Sequence, residues 1–200
     1  MYKRQRFSWI LAVLILPIFC IAQSNISLHL KTGKAKLPET KQLNHIPAPN
    51  ASEIVSGKYY RYIQFHQLPT QRDRETIETL GIELLDYVPK NTYIASVLAG
   101  FNWQDVDGFQ IRSIAPIPAF HKIDPRMEEK PLPGWATEKA GFIKADITFQ
   151  KNITSDLMVQ ALSIEGIIAL EIRSYSKSAT VYLSEKMVAT FAENAIVQYI

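Results

Sequence analysis

Lys58-Tyr59-Tyr60-Arg61-Tyr62-Ile63-Gln64-Phe65, then Pro69-Thr70, then Gly81-Ile82-Glu83-Leu84-Leu85-Asp86-Tyr87-Val88-Pro89, is the stretch that decides the fold. The first segment is dominated by aromatic and β-branched side chains, with Ile63 and Phe65 on one face and Tyr60 and Tyr62 on the other. That period of two is a strand. Thr70 can cap a short helix running to Leu80. Asp73 favours its positive end, Ile77 and Leu80 share one face, and Gly81 supplies the left-handed stop. Ile82 to Tyr87 reads as a second strand, Pro89-Lys90-Asn91 as a turn, and Thr92 to Val97 as a third strand. Phe101 to Val106 is expected to form a short helix ended by Gly108, and Gln110 to Ile117 a fourth strand. The order is β-α-β-β-α-β, the split pattern of a ferredoxin-like sandwich.

Working outward, the same order recurs. Phe142 to Phe149 alternates Ile143, Ala145, Ile147 and Phe149 with Lys144, Asp146 and Thr148. Thr154 or Ser155 caps a helix carrying Leu157, Ala161 and Leu162, stopped by Gly166. Ile167 to Arg173 and Thr180 to Leu183 are strands. Ser184 opens a helix with Met187, Val188 and Phe191, stopped at Asn194, and Ala195 to Ile200 begins a last strand. The expected class is therefore α+β, two tandem ferredoxin-like units over 58–124 and 142–200. Residues 23–57 and 125–141, broken by Pro and Gly, are expected to be linkers. A last strand that stops at Ile200 is expected to leave backbone groups unpaired and reads as a truncation.

Ahead of this lies a basic start with Lys3, Arg4 and Arg6, then an apolar run from Phe7 to Ala22. Cys20-Ile21-Ala22 before Gln23 has small residues where a signal peptidase reads them, so residues 1–22 are expected to be a signal peptide cut between Ala22 and Gln23. The run is too short for an ordinary bilayer span and contains Pro17. The expectation is a secreted, periplasmic or extracellular bacterial protein with no stable membrane association after signal removal. Those three basic residues are the only charges before position 23, so the remainder balances 19 basic groups against 19 acidic ones. A neutral body gives no electrostatic reason to bind nucleic acid.

Catalytic patterns are missing. The chain has no Gly-rich phosphate loop, no His-Glu-x-x-His and no Gly-x-Ser-x-Gly. His29, His45, His66 and His121 lack a second ligand at metal spacing, and the single Cys20 precludes a disulfide or a Cys-based metal site. No catalytic residue, cofactor or metal is expected. Tyr59, Tyr60 and Tyr62 could stack single-stranded RNA bases, but a sheet face packed on protein is the preferred reading.

Gln64-Phe65, Pro69, Gly81, Leu85, Tyr87, Pro89, Asn91 and Tyr93, at these spacings, resemble the N-terminal pro-region of secreted bacterial subtilisin-like serine peptidases of the fervidolysin type. The likeness extends more loosely through Ile114 to Pro118, Lys122-Ile123 and Ala195 to Ile200. It implies a non-catalytic pro-region that assists the folding of a downstream catalytic domain and inhibits it until removed, the partner being that domain of the same polypeptide. The family's Asp, His and Ser triad motifs are absent, so no residue here takes a triad role. Lys144, Asp146 and Thr148 are the candidate interface. The alternative is a stand-alone secreted inhibitor or protein-binding module.

Overall fold

The computed structural model describes residues 27–129, 131–164 and 166–200. It is a mixed α+β structure with few helices, built on antiparallel sheets. The first four-stranded sheet comprises β3 (Lys58–Phe65), β4 (Ile82–Val88), β5 (Thr92–Leu98) and β6 (Ile111–Ala115), ordered β4-β5-β3-β6. Helix α1 (Gln71–Leu80) lies between β3 and β4, and its start follows the sequence. Thr70 Oγ1 accepts from the Asp73 amide at 3.2 Å while the Asp73 carboxylate accepts from the Thr70 amide at 2.9 Å, a reciprocal capping box. Gly81 ends the helix at φ +112°, where a Cβ would stand 2.7 Å from Leu98 Cδ1.

The second four-stranded sheet comprises β7 (Phe142–Phe149), β8 (Ile167–Arg173), β9 (Ser178–Ser184) and β10 (Val197–Tyr199), ordered β10-β7-β9-β8. Helices α2 (Ser155–Leu162) and α3 (Val188–Ala192) connect them. The alternation of β7 holds: Ile143, Ala145, Ile147 and Phe149 are buried, and Lys144, Asp146 and Thr148 face the other way.

Several expectations are corrected. The stretch 27–57 is more than a linker, because β1 (Ser27–Leu30) and β2 (Gly33–Lys36) form a hairpin. Leu28 and Leu37 are buried from it against Tyr62, Val88 and Ile94 of the first sheet, a burial worth roughly 1.5–3 kcal/mol per large side chain. Downstream of the hairpin, Thr40 donates its amide to the Arg112 carbonyl at 2.9 Å and covers the β6 edge. Within 125–141, Ala136 is buried and Met127 and Leu132 pack on the second core. The helix expected at Phe101 to Val106 is a 3-10 helix, Trp103–Phe109, started by Asn102 and ended at Gln110 in the left-handed region, so Gly108 lies inside it. Helix α2 ends at Leu162, with Ser163 and not Gly166 closing it. A 3-10 turn, Glu185–Met187, leads into α3, and Glu193 caps α3 ahead of Asn194. Finally, Ile200 is paired: its amide donates to the Lys122 carbonyl at 2.7 Å, and its carbonyl accepts from the Asp124 amide at 2.9 Å.

The two sheets share a packed boundary. Tyr60 leaves the core of its own sheet and joins that of the second, where Phe149, Ile153 and Ile196 are buried. On the helix side of the first sheet, Tyr59, Ile63 and Phe65 bury against Ile77, Trp103 and Val106. The tyrosine face is therefore closed, Tyr60 by the second unit and Tyr62 by the hairpin. No aromatic platform for nucleic-acid bases is open there.

Candidate binding surface

The motif residues of the first sheet are structural. Gln64 is wholly buried, donates from Nε2 to the Lys90 carbonyl at 2.9 Å and accepts from Arg112 at Oε1. Phe65 meets the edge of Tyr93 with centroids 6.2 Å apart, and Tyr93 meets Tyr87 at 5.4 Å. Asn91 takes the left-handed conformation after Pro89 and donates its side-chain amide to the His66 carbonyl at 3.1 Å. Pro69 leads into the Thr70 cap, and Leu85 is half-buried between the hairpin and the second unit. These residues build a turn, a cap and a strand pair, so the motif marks a fold and gathers no reactive groups. Ala22 and Gln23 lie outside the described residues.

The structure brings the candidate interface residues Lys144, Asp146 and Thr148 together on the face of the second sheet turned away from α2 and α3, where each borders one groove. Asp146 accepts from Arg173 Nη2 at 2.8 Å and from Thr180 Oγ1 at 2.6 Å, linking β7, β9 and β8 across this face. These donors hold its carboxyl below the usual range, the Thr180 hydroxyl first and Arg173 next. Lys144 stands 3.5 Å from Glu138, whose carboxylate also accepts from the Tyr182 hydroxyl at 3.0 Å.

The groove has a volume of about 530 Å³ and runs between β7, the end of β10 and the segment 124–136. Trp135, 65% exposed, forms part of its wall. At the far end Lys31, from the β1–β2 turn, sits 4.4 Å from the centroid of Tyr199. Asp124 engages Arg126 through both carboxylate oxygens, at 3.0 and 2.7 Å. That guanidinium takes the carboxyl down to about 2, and burial with Asp124 nearby pushes the Tyr199 phenol up to about 12. Lys31, Asp124, Trp135 and Tyr199 were not legible as site residues, because only the tertiary pairing of Ile200 with Lys122 and Asp124 brings them together. The one local signal is Trp135 within Leu132-Pro133-Gly134-Trp135, a large aromatic in a Pro- and Gly-broken stretch with no apolar period around it.

The groups on this surface suit binding. It offers apolar wall, an indole and charges of both signs. Among the described residues there is no group of three metal-ligating side chains, and no helix is long and apolar enough to cross a membrane.

The family model of a domain of unknown function (DUF8729) matches residues 29–118, from within β1 to just past β6. The match takes in most of the hairpin together with the first sheet, in line with the burial of Leu37 on that sheet. No curated protein and no solved structure matches the chain.

Proposed function

We propose that this chain is the non-catalytic pro-region of a secreted subtilisin-like serine endopeptidase, assisting the folding of a catalytic domain and blocking it until removal. The observation that carries the reading is the spaced motif from Gln64 to Tyr93, whose residues make one strand end, one helix stop and one turn. Strand orders β4-β5-β3-β6 and β10-β7-β9-β8 support the finer reading of two tandem ferredoxin-like units, since each places the first and third strands of its unit at the centre.

The docking face is that of the second sheet. Its counterpart on the first sheet is covered by the hairpin and by the second unit, which leaves the side bearing Lys144, Asp146 and Thr148 to meet a partner. The groove along that side equally favours a stand-alone secreted inhibitor or binding module as the second reading. The two separate in a refolding assay with a subtilisin-like catalytic domain from the same genome. A pro-region raises the yield of active enzyme from the denatured state and then inhibits it. A stand-alone inhibitor inhibits without raising the yield, and no effect in either assay refutes both.

A further inference from the structure

The groove beside β7 joins an apolar wall to the ammonium of Lys31 at its rim. Met127, Leu132, Pro133 and Trp135 supply the apolar part. Lys31, Arg126 and Lys144 face it against two acids, Asp124 and Asp146. Most of these charges are already matched within the chain, Arg126 with Asp124 at 2.7 Å, Lys144 with Glu138 at 3.5 Å and Asp146 with Arg173 at 2.8 Å. Lys31 instead rests over the ring of Tyr199. An ammonium carries three N–H donors, so one resting over a ring can still donate to a carboxylate. The indole of Trp135 is two-thirds exposed, and Trp is among the residue types enriched in the dominant contacts of interfaces.

We infer that this groove binds an extended polypeptide segment in which one carboxylate side chain is flanked by apolar residues. The apolar flanks lie against Trp135 and Leu132, and the carboxylate meets Lys31. The groove's size suits a few residues of extended chain rather than a folded element. Charge complementarity selects the acidic segment over a basic one, which would place a second cation beside Lys31. The inference rests on the docking reading above only for the identity of the protein that supplies the segment. Free peptides test the groove without any protease.

The experiment follows tryptophan fluorescence of the full chain during titration with the blocked peptide Ala-Leu-Asp-Leu-Ala and its Asn and Lys counterparts. Trp103 is buried, so the response of the described residues belongs to Trp135. The expected result is saturable binding of the Asp peptide, about tenfold tighter than the Asn peptide, the scale of one hydrogen bond to a charged group. The Lys peptide is expected to bind weakest. Lys31→Glu, on an exposed turn, is expected to abolish the preference for Asp, and Trp135→Phe to abolish the fluorescence change. Equal affinity for the Asp and Asn peptides, an unchanged preference in Lys31→Glu, or a change that persists in Trp135→Phe overturns the inference. If the peptides bind as expected while no protease is inhibited, the groove stands and the pro-region reading falls. The reverse outcome removes the groove alone.

Discussion

The hydroxyl of Tyr60, on β3, donates to Oδ1 of Asn152 at 3.0 Å across the boundary between the two sheets. The same Asn152 passes its amide to Glu83 Oε2 at 2.9 Å. Tyr60 is 5% exposed, and burial raises its phenol well above the ordinary value, so this hydroxyl remains a donor throughout the working pH range. Asn152→Ala leaves it buried without an acceptor and is expected to cost about 1–3 kcal/mol. In a double-mutant cycle with Tyr60→Phe, followed by urea unfolding, the two changes are expected to be clearly non-additive. Additive losses show that the two units do not couple through this pair.

Gly81→Ala tests the helix stop. The residue is at φ +112° and its added Cβ meets Leu98 Cδ1 at 2.7 Å, so backbone strain and a steric clash act together. A loss of about 1–3 kcal/mol is expected, read as a lowered thermal midpoint. Unchanged stability means that α1 and β4 are joined differently.

Lys122 gives a pH signature. It is 3% exposed and donates to the Asn194 carbonyl at 3.0 Å. Burial takes its ammonium down to about 8 from an ordinary 10.5, while Glu53 pulls the other way. Between those two values the unfolded chain holds the proton and the folded chain does not. Stability contributed at this position therefore rises with pH from about 8 towards 10. Measured by urea unfolding, the difference between wild type and Lys122→Met is expected to move in favour of wild type over that window. Parallel profiles for the two proteins show that Lys122 titrates normally.

On the proposed reading the chain is not itself a hydrolase, since its sequence carries none of the family's Asp, His and Ser triad motifs. A fluorophosphonate probe is expected to label none of its serines, and casein to stay intact. A labelled serine contradicts this directly.

Much of the architecture was legible locally. The Thr70 cap, the Gly81 stop, the Pro89-Lys90-Asn91 turn and the alternation of β7 are decided by neighbours within a few residues, and the structure reproduces them. The hairpin at 27–36 was missed because each strand has only four residues, and Leu28, Leu30, Ala35 and Leu37 supply too few alternations to stand out among lysines. Its order comes from the sheet beneath it. The short helices were misplaced at their ends for the reason that Ser163, Glu193 and Gln110 close them without a glycine. Lys144, Asp146 and Thr148 were legible as one face of a strand, while the groove beside them depends on contacts between Ile200 and the segment 122–124, which no local pattern encodes.

The most direct test of the account is an inhibition titration of a subtilisin-like catalytic domain from the same genome, using the full chain, Thr148→Arg and Leu68→Arg. Thr148 lies on the second sheet's outer face, and Leu68, 51% exposed, lies in the loop between β3 and α1 of the first unit. The account expects wild type and Leu68→Arg to inhibit alike and Thr148→Arg to lose about tenfold or more in potency, the scale of one disrupted central contact. Inhibition by Thr148→Arg equal to wild type, or no inhibition by the folded wild-type chain, contradicts it.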